Sequence, residues 1–190
     1  MASKIKVDTL ETANGSGTIA LSNQLSGMTT ASLPALGSAQ MPAGSVIQVT
    51  QGMTNSAVTT SSTTHVDTGL SASITPTSTS STILVTVTQL LNASNNARSS
   101  GTDIRLLRGS TLILDDGNGS GYGSFYRDIN ISGITNIDTG AVVAFSYIDS
   151  PSTTSATTYK TTGRSLASAT TVRFQGQGGH SVITLQEIKG

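Results

Sequence analysis

The longest apolar and β-branched run in the chain is Thr82-Ile83-Leu84-Val85-Thr86-Val87-Thr88-Gln89-Leu90-Leu91, set between turn-forming clusters at 76–81 and 92–101. β-Branched side chains are stiff at χ1 and pack well on a pleated surface, so this run predicts a strand rather than a short helix. Alternation puts Ile83, Val85 and Val87 on one face and Leu84 and Leu90 on the other. Apolar residues on both faces suit a central strand of a two-layer β structure. Shorter runs of the same kind predict strands at 45–51, 63–67, 70–75, 103–108, 111–114, 124–131, 141–148, 157–162, 170–175 and 181–188. Turn clusters separate them, among them Asp115-Asp116-Gly117-Asn118-Gly119, Asp138-Thr139-Gly140 and a hairpin turn at Gly176-Gln177-Gly178-Gly179. Short strands at this spacing predict an all-β sandwich or jelly roll over residues 45–190. No segment carries a sustained helical period.

Residues 1–44 have a different texture. Ile5, Val7 and Leu10 share one side of a short alternating segment, a Gly-rich turn follows, and Ile19 and Leu21 lie on a second short strand. Two such strands cannot bury their apolar faces alone. The stretch from Leu25 to Met41 is small, polar and interrupted by Pro34, with Pro42 just beyond, as an extended linker would be. Residues 1–44 are therefore expected to form an extended β stalk or arm that attaches to another body or to copies of itself.

Composition sharpens this picture. The 190 residues include 29 Ser and 31 Thr, no Cys and no Trp, and only 11% are charged, balancing to zero. Apolar residues make up 35% with Gly left out, and small hydroxyl side chains fill much of the rest, so the core is expected to be thin and association with other copies to add stability. Without Cys there are no disulfides, no thiol catalysis and no Cys-ligated metal. Ten Lys plus Arg and zero net charge argue against nucleic-acid binding driven by phosphate contacts. No apolar run is long enough for membrane insertion as a helix, and the N-terminal residues are too polar for a secretory signal.

The candidate chemistry is sparse. Asp115 to Gly119 could offer hard oxygens to Ca²⁺, but it lacks the EF-hand spacing, and Asp and Asn beside Gly are what a tight turn needs. His65 and His180 are the only histidines, too few for a zinc site without Cys. A glycosidase needs a carboxylate pair at fixed separation. Asp103, Asp115, Asp116, Asp128, Asp138 and Asp149 all fall near strand ends or turns, and no pair stands out. No catalytic residue, cofactor or metal is expected, and the chain reads as a non-enzyme. The loops are better candidates for surface recognition: Tyr122, Phe125 and Tyr126 follow a Gly/Ser-rich segment, and Asn95 and Asn96 lie in the polar stretch 92–101. Tyr, Ser, Gly and Asn together make an adaptable binding surface.

Four stretches stand together in order: Val66-Asp67-Thr68-Gly69-Leu70-Ser71-Ala72-Ser73-Ile74-Thr75-Pro76, Arg105-Leu106-Leu107-Arg108-Gly109-Ser110-Thr111, Tyr147-Ile148-Asp149-Ser150-Pro151 and Ile183-Thr184-Leu185-Gln186-Glu187-Ile188. They resemble a module of virion structural proteins from tailed phages, especially marine ones. The start, Ser3 to Leu10 followed by Gly17-Thr18-Ile19, is similar to the attachment segment of fibre-like proteins of such particles. The resemblance implies a homotrimeric tail-fibre or spike-like appendage of the virion, assembled in the host cytoplasm. It would be anchored to a capsid or tail protein by its N-terminus, with host adsorption, for instance to a cell-surface glycan, as the task of the outer domain. A capsid decoration (cement) protein that clamps the head lattice is the alternative, and copy number per particle separates the two.

Overall fold

The computed structural model describes residues 37–95, 99–115, 127–130, 137–166 and 170–190. Among the described residues of the compact unit Ser38–Gly190 there are eleven strands and two short 3-10 turns. The strands are β1 (Val46–Thr54), β2 (Val58–Thr60), β3 (Val66–Ile74), β4 (Thr82–Asn95), β5 (Ser99–Arg108), β6 (Thr111–Leu114), β7 (Arg127–Asn130), β8 (Ile137–Asp149), β9 (Thr157–Ser165), β10 (Thr170–Phe174) and β11 (Ser181–Ile188). They make two antiparallel sheets, so the all-β sandwich expected from the alternation is the fold. The first sheet holds β1, β11, β4, β10, β2 and β8; the second holds β3, β9, β5, β6 and β7.

β4 is the spine of the first sheet. It pairs with β8 along almost its whole length, from Ile83↔Asp149 to Asn95↔Ile137. Its other edge takes two strands end to end: β11 alongside 82–88 and β10 alongside 91–95. Ile83, Val85 and Val87 are fully buried, as the alternation predicts. Two expectations are corrected here. The polar stretch 92–101 is not a loop throughout: β4 runs on to Asn95 and β5 starts at Ser99, so ladder pairing overrides the weak strand preference of Asn and Ser. The segment Gly176 to Gly179 is not a hairpin turn either, because the strands on its two sides pair with β4 and not with each other. His65 and the Asp138–Gly140 turn also move. His65 precedes β3 instead of lying in a strand, and Asp138 to Gly140 are inside β8.

Among the described residues sixteen buried apolar residues form the core, joined by twelve buried polar ones. Leu70, Ile74, Val85, Leu106, Tyr159 and Leu185 pack at one end; Leu91, Ile104, Val172 and Phe174 pack at the other. Within the second sheet, on its buried side, Thr68 of β3 and Thr161 of β9 share a hydroxyl–hydroxyl bond of 2.5 Å, and Thr68 also donates to the Thr161 carbonyl. A hydroxyl-rich sequence can thus build an interior, provided its hydroxyls bond one another. The sheets touch most closely where β1 crosses β3: a Cβ at Gly52 would lie 1.8 Å from the Ser71 carbonyl oxygen, so only Gly fits. Residues just before β1 are tied down as well, with Gly44 N–H donating to the Lys189 carbonyl and Lys189 N–H donating to that of Ser45.

Candidate interaction face and buried ionic sites

Strand pairing lines up the outer face of the first sheet in rows. One row is Met53, Val182, Thr88 and Ala144; the next is Gln51, Thr184, Thr86 and Ser146; a third is Val49, Gln186, Leu84 and Ile148. Val46 and Ile188 extend it at one end, Leu90 and Val142 at the other. None of these residues is charged. Of the six large hydrophobic residues that stand exposed among the described residues, five are here: Val46, Val49, Met53, Val142 and Ile148, the last four between 58% and 62% exposed. The polar positions are nearly all hydroxyls and amides that bond along the face, as Gln51 does to Thr184 and Thr86 to Ser146.

The outer face of the second sheet is the opposite. Lys160 Nζ lies 2.8 Å from Asp67 Oδ2. Arg164 brings Nε and a terminal nitrogen to 2.9 Å from Asp103 Oδ2 across the β5–β9 pair. His65 Nε2 lies 2.7 Å from Asp103 Oδ1, close but poorly aligned for a hydrogen bond. Asp103 is buried beneath these partners; burial alone would raise its pKa, but His65 and Arg164 outweigh it and hold the carboxyl below its ordinary value.

A second buried carboxylate joins the two sheets at one end of the sandwich. Asp149 of β8 receives Arg108 at 2.8 and 2.9 Å and the Tyr159 hydroxyl at 2.6 Å. Burial, and then the bond to Asp149, push the Tyr159 hydroxyl pKa well up, so it stays protonated. Glu187 is the third. Burial would raise its pKa, but Gln48 and the backbone and hydroxyl of Thr77 donate to it and keep it low.

Of the acidic residues considered as catalytic candidates, Asp103 and Asp149 sit in buried ion pairs and Asp115 pairs with Arg105 at 2.9 Å, while Asp116 and the side chains of Asp128 and Asp138 lie outside the described residues. Among the described residues no group of three His, Asp or Glu could hold a metal ion, and no helix is long and apolar enough to cross a membrane. His180 is exposed at the end of the β10–β11 connection. The arm residues Ile5, Val7, Leu10, Ile19 and Leu21, and the loop residues Tyr122, Phe125, Tyr126 and Asn96, lie outside the described residues. Asn95 is the last residue of β4 instead of a loop tip. The exposed face escaped the strand-by-strand reading because each strand contributes only one or two apolar residues to it; the pairing register is what gathers them.

No protein-family model matches the chain, and no curated protein sequence matches it.

Proposed function

We propose that this chain is a non-enzymatic structural protein of a tailed-phage virion, a jelly-roll-like sandwich that works as one copy of a homotrimeric fibre or spike-like appendage. The observation that carries the reading is the uncharged face of β1, β11, β4 and β8, with five exposed large hydrophobic residues gathered on one side of the sandwich. Four strands about 4.8 Å apart and nine positions about 3.3 Å apart give a face of roughly 19 by 27 Å, or about 500 Å² when flat. Hydroxyls and amides take up part of that area, so the apolar share is smaller, toward the low end of the about 300–600 Å² of the largest apolar patch on a typical monomer. Two such faces together reach about 1,000 Å², the low end for a specific interface. The face therefore suits repeated copies held in register by a further contact, where effective concentration adds to a weak pairwise affinity. The sequence resemblance supplies the setting. Residues 1–44 anchor the assembly to a capsid or tail protein, and the outer loops meet the host surface, with a glycan as the expected partner.

The test is the native mass of the full chain beside Val49→Lys and Ile148→Lys. The expected result is an oligomer for the wild type and monomers for the variants, with unchanged circular dichroism. A wild-type monomer from micromolar to millimolar concentration would overturn the reading.

A further inference from the structure

β10 and β11 would be one continuous strand along β4 but for the segment between them. Phe174 pairs with Leu91 and Val182 with Thr88, so seven residues on this edge face two on β4, an excess of five. The excess is held in a costly form: Gln175 and Gln177 both have left-handed backbones, with φ of 56° and 54°. Gln175 is fully buried, and its amide, oriented by its partners, donates to the carbonyls of Phe174 and Thr68 at 3.0 and 3.1 Å. Its oxygen accepts from Gln89 at 2.9 Å and from Ser181 at 3.3 Å. Ser181 in turn accepts from Leu90 N–H at 2.9 Å. Strain of this kind persists only where the surroundings over-determine it.

What the break creates is a depression of about 250 Å³ lined by Leu90, Leu91, Asn92, Gly140, Gly176 and Gln177. Arg173 stands on its rim. It pairs across the ladder with Asn92, which faces Gly140 on the next strand. Its Cδ would be 2.9 Å from a Cβ at Gly176, so its stem runs along the loop. Arg173 is exposed, and among the described residues no carboxylate pairs with it. Its guanidinium stands on the outer face of the first sheet, just beyond the uncharged rows.

We propose that this depression binds an acidic saccharide unit: one hydroxylated ring carrying a carboxylate. A guanidinium matches a carboxylate with two parallel donors. The Gln177 amide offers a donor and an acceptor, which suits ring hydroxyls that are both. Leu90 supplies apolar surface for ring C–H groups, and at Gly140, where a Cβ would meet only the Leu91 carbonyl at 3.9 Å, the backbone is open to close approach. The volume lies below the range of roughly 300–1,000 Å³ for drug-sized ligands and fits a single ring.

Saturation-transfer NMR on the full chain tests this with sodium glucuronate, galacturonate and N-acetylneuraminate, and with glucose as the neutral comparator. Gly140→Val fills the depression, since a Cβ there meets only the Leu91 carbonyl, at 3.9 Å. Arg173→Gln removes the charge and keeps the stem. At least one acid should bind with a millimolar Kd, glucose roughly tenfold more weakly, as loss of one charge-assisted contact implies. Each variant should lose acid binding at an unchanged melting temperature. Silence from all three acids, equal binding of glucose, or full binding by both variants would overturn the proposal.

Discussion

Phe174 lies against the bare backbone of Gly163: a Cβ at Gly163 would meet the ring at 2.4 and 2.7 Å and the Asp103 carbonyl at 3.1 Å. The two residues belong to different sheets, so this contact sets the local sheet-to-sheet spacing at the second core cluster. Gly163→Ala would gain up to about 1 kcal/mol by restricting the unfolded chain. Overpacking costs about 1–3 kcal/mol and wins, because neither the ring nor the backbone has room to give. Thermal melts should show a lower Tm, and Phe174→Leu in the Gly163→Ala background should recover part of it. Additive losses in the double mutant would refute a direct clash.

Two carboxylates of the interior, Asp103 and Glu187, shape the response to acid. Asp103 and Glu187 both have folded pKa values below their unfolded ones. Their stabilising contribution is therefore present above the unfolded values, near 4, and is lost as pH falls through the folded values. Urea unfolding from pH 7 down to 2 should show a falling midpoint below about pH 4. Asp103→Asn should be less stable at pH 7 and converge on the wild type at the acid end. A constant gap between the two across that range would be the wrong outcome.

Tyr159 should titrate late. Its hydroxyl donates to Asp149 from a buried position, which raises its pKa. In an alkaline absorbance titration one of the four tyrosines should stay protonated past the usual range near 10, ionising only as the protein unfolds. Tyr159→Phe removes that late step and should cost about 1–2 kcal/mol, because Asp149 keeps Arg108 but loses one donor. Arg108→Leu leaves a buried carboxylate without its cation and should cost more, about 3–5 kcal/mol.

Gln175 joins two requirements, a left-handed backbone and a buried amide. Gln175→Gly satisfies the first and abandons the second, stranding the Gln89 amide and the Thr68 carbonyl it served. A loss of about 1–3 kcal/mol is expected. Gln175→Ala adds backbone strain and should be worse than Gly, an inversion of the usual order in strands. Denaturant melts of the pair decide it.

Much of the sandwich was legible because alternation survives a hydroxyl-rich composition. β6 and β11 match the predicted 111–114 and 181–188, and the inward set of β4 follows the period of two. The ends of β4, β5 and β8 were not legible. Asn92 to Asn95 and Asp138 to Gly140 carry local turn preference, and only pairing with a partner far along the chain overrides it. The β10–β11 break was legible as a Gly-rich segment, but its topology depends on which strand it lies beside, and sequence periodicity carries no such information. The exposed face was hidden for the same reason. Its residues come from four strands, and their neighbourhood exists only in the register.

β11 comes after every other strand in the chain, yet it lies between β1 and β4, pairing Val46 with Ile188 and Thr88 with Val182. The first sheet is therefore completed by its latest member, across a separation that makes for slow, non-local closure. While a new chain is being made, β1 and β4 hold open edges toward each other and Leu84 has no neighbour on that side. The rows that make up the uncharged face do not exist until β11 slots in. Under the proposed self-association, joining would be timed by folding: the surface on which a chain would meet its fellows is complete only after its own sheet is closed, and half-made chains lack it.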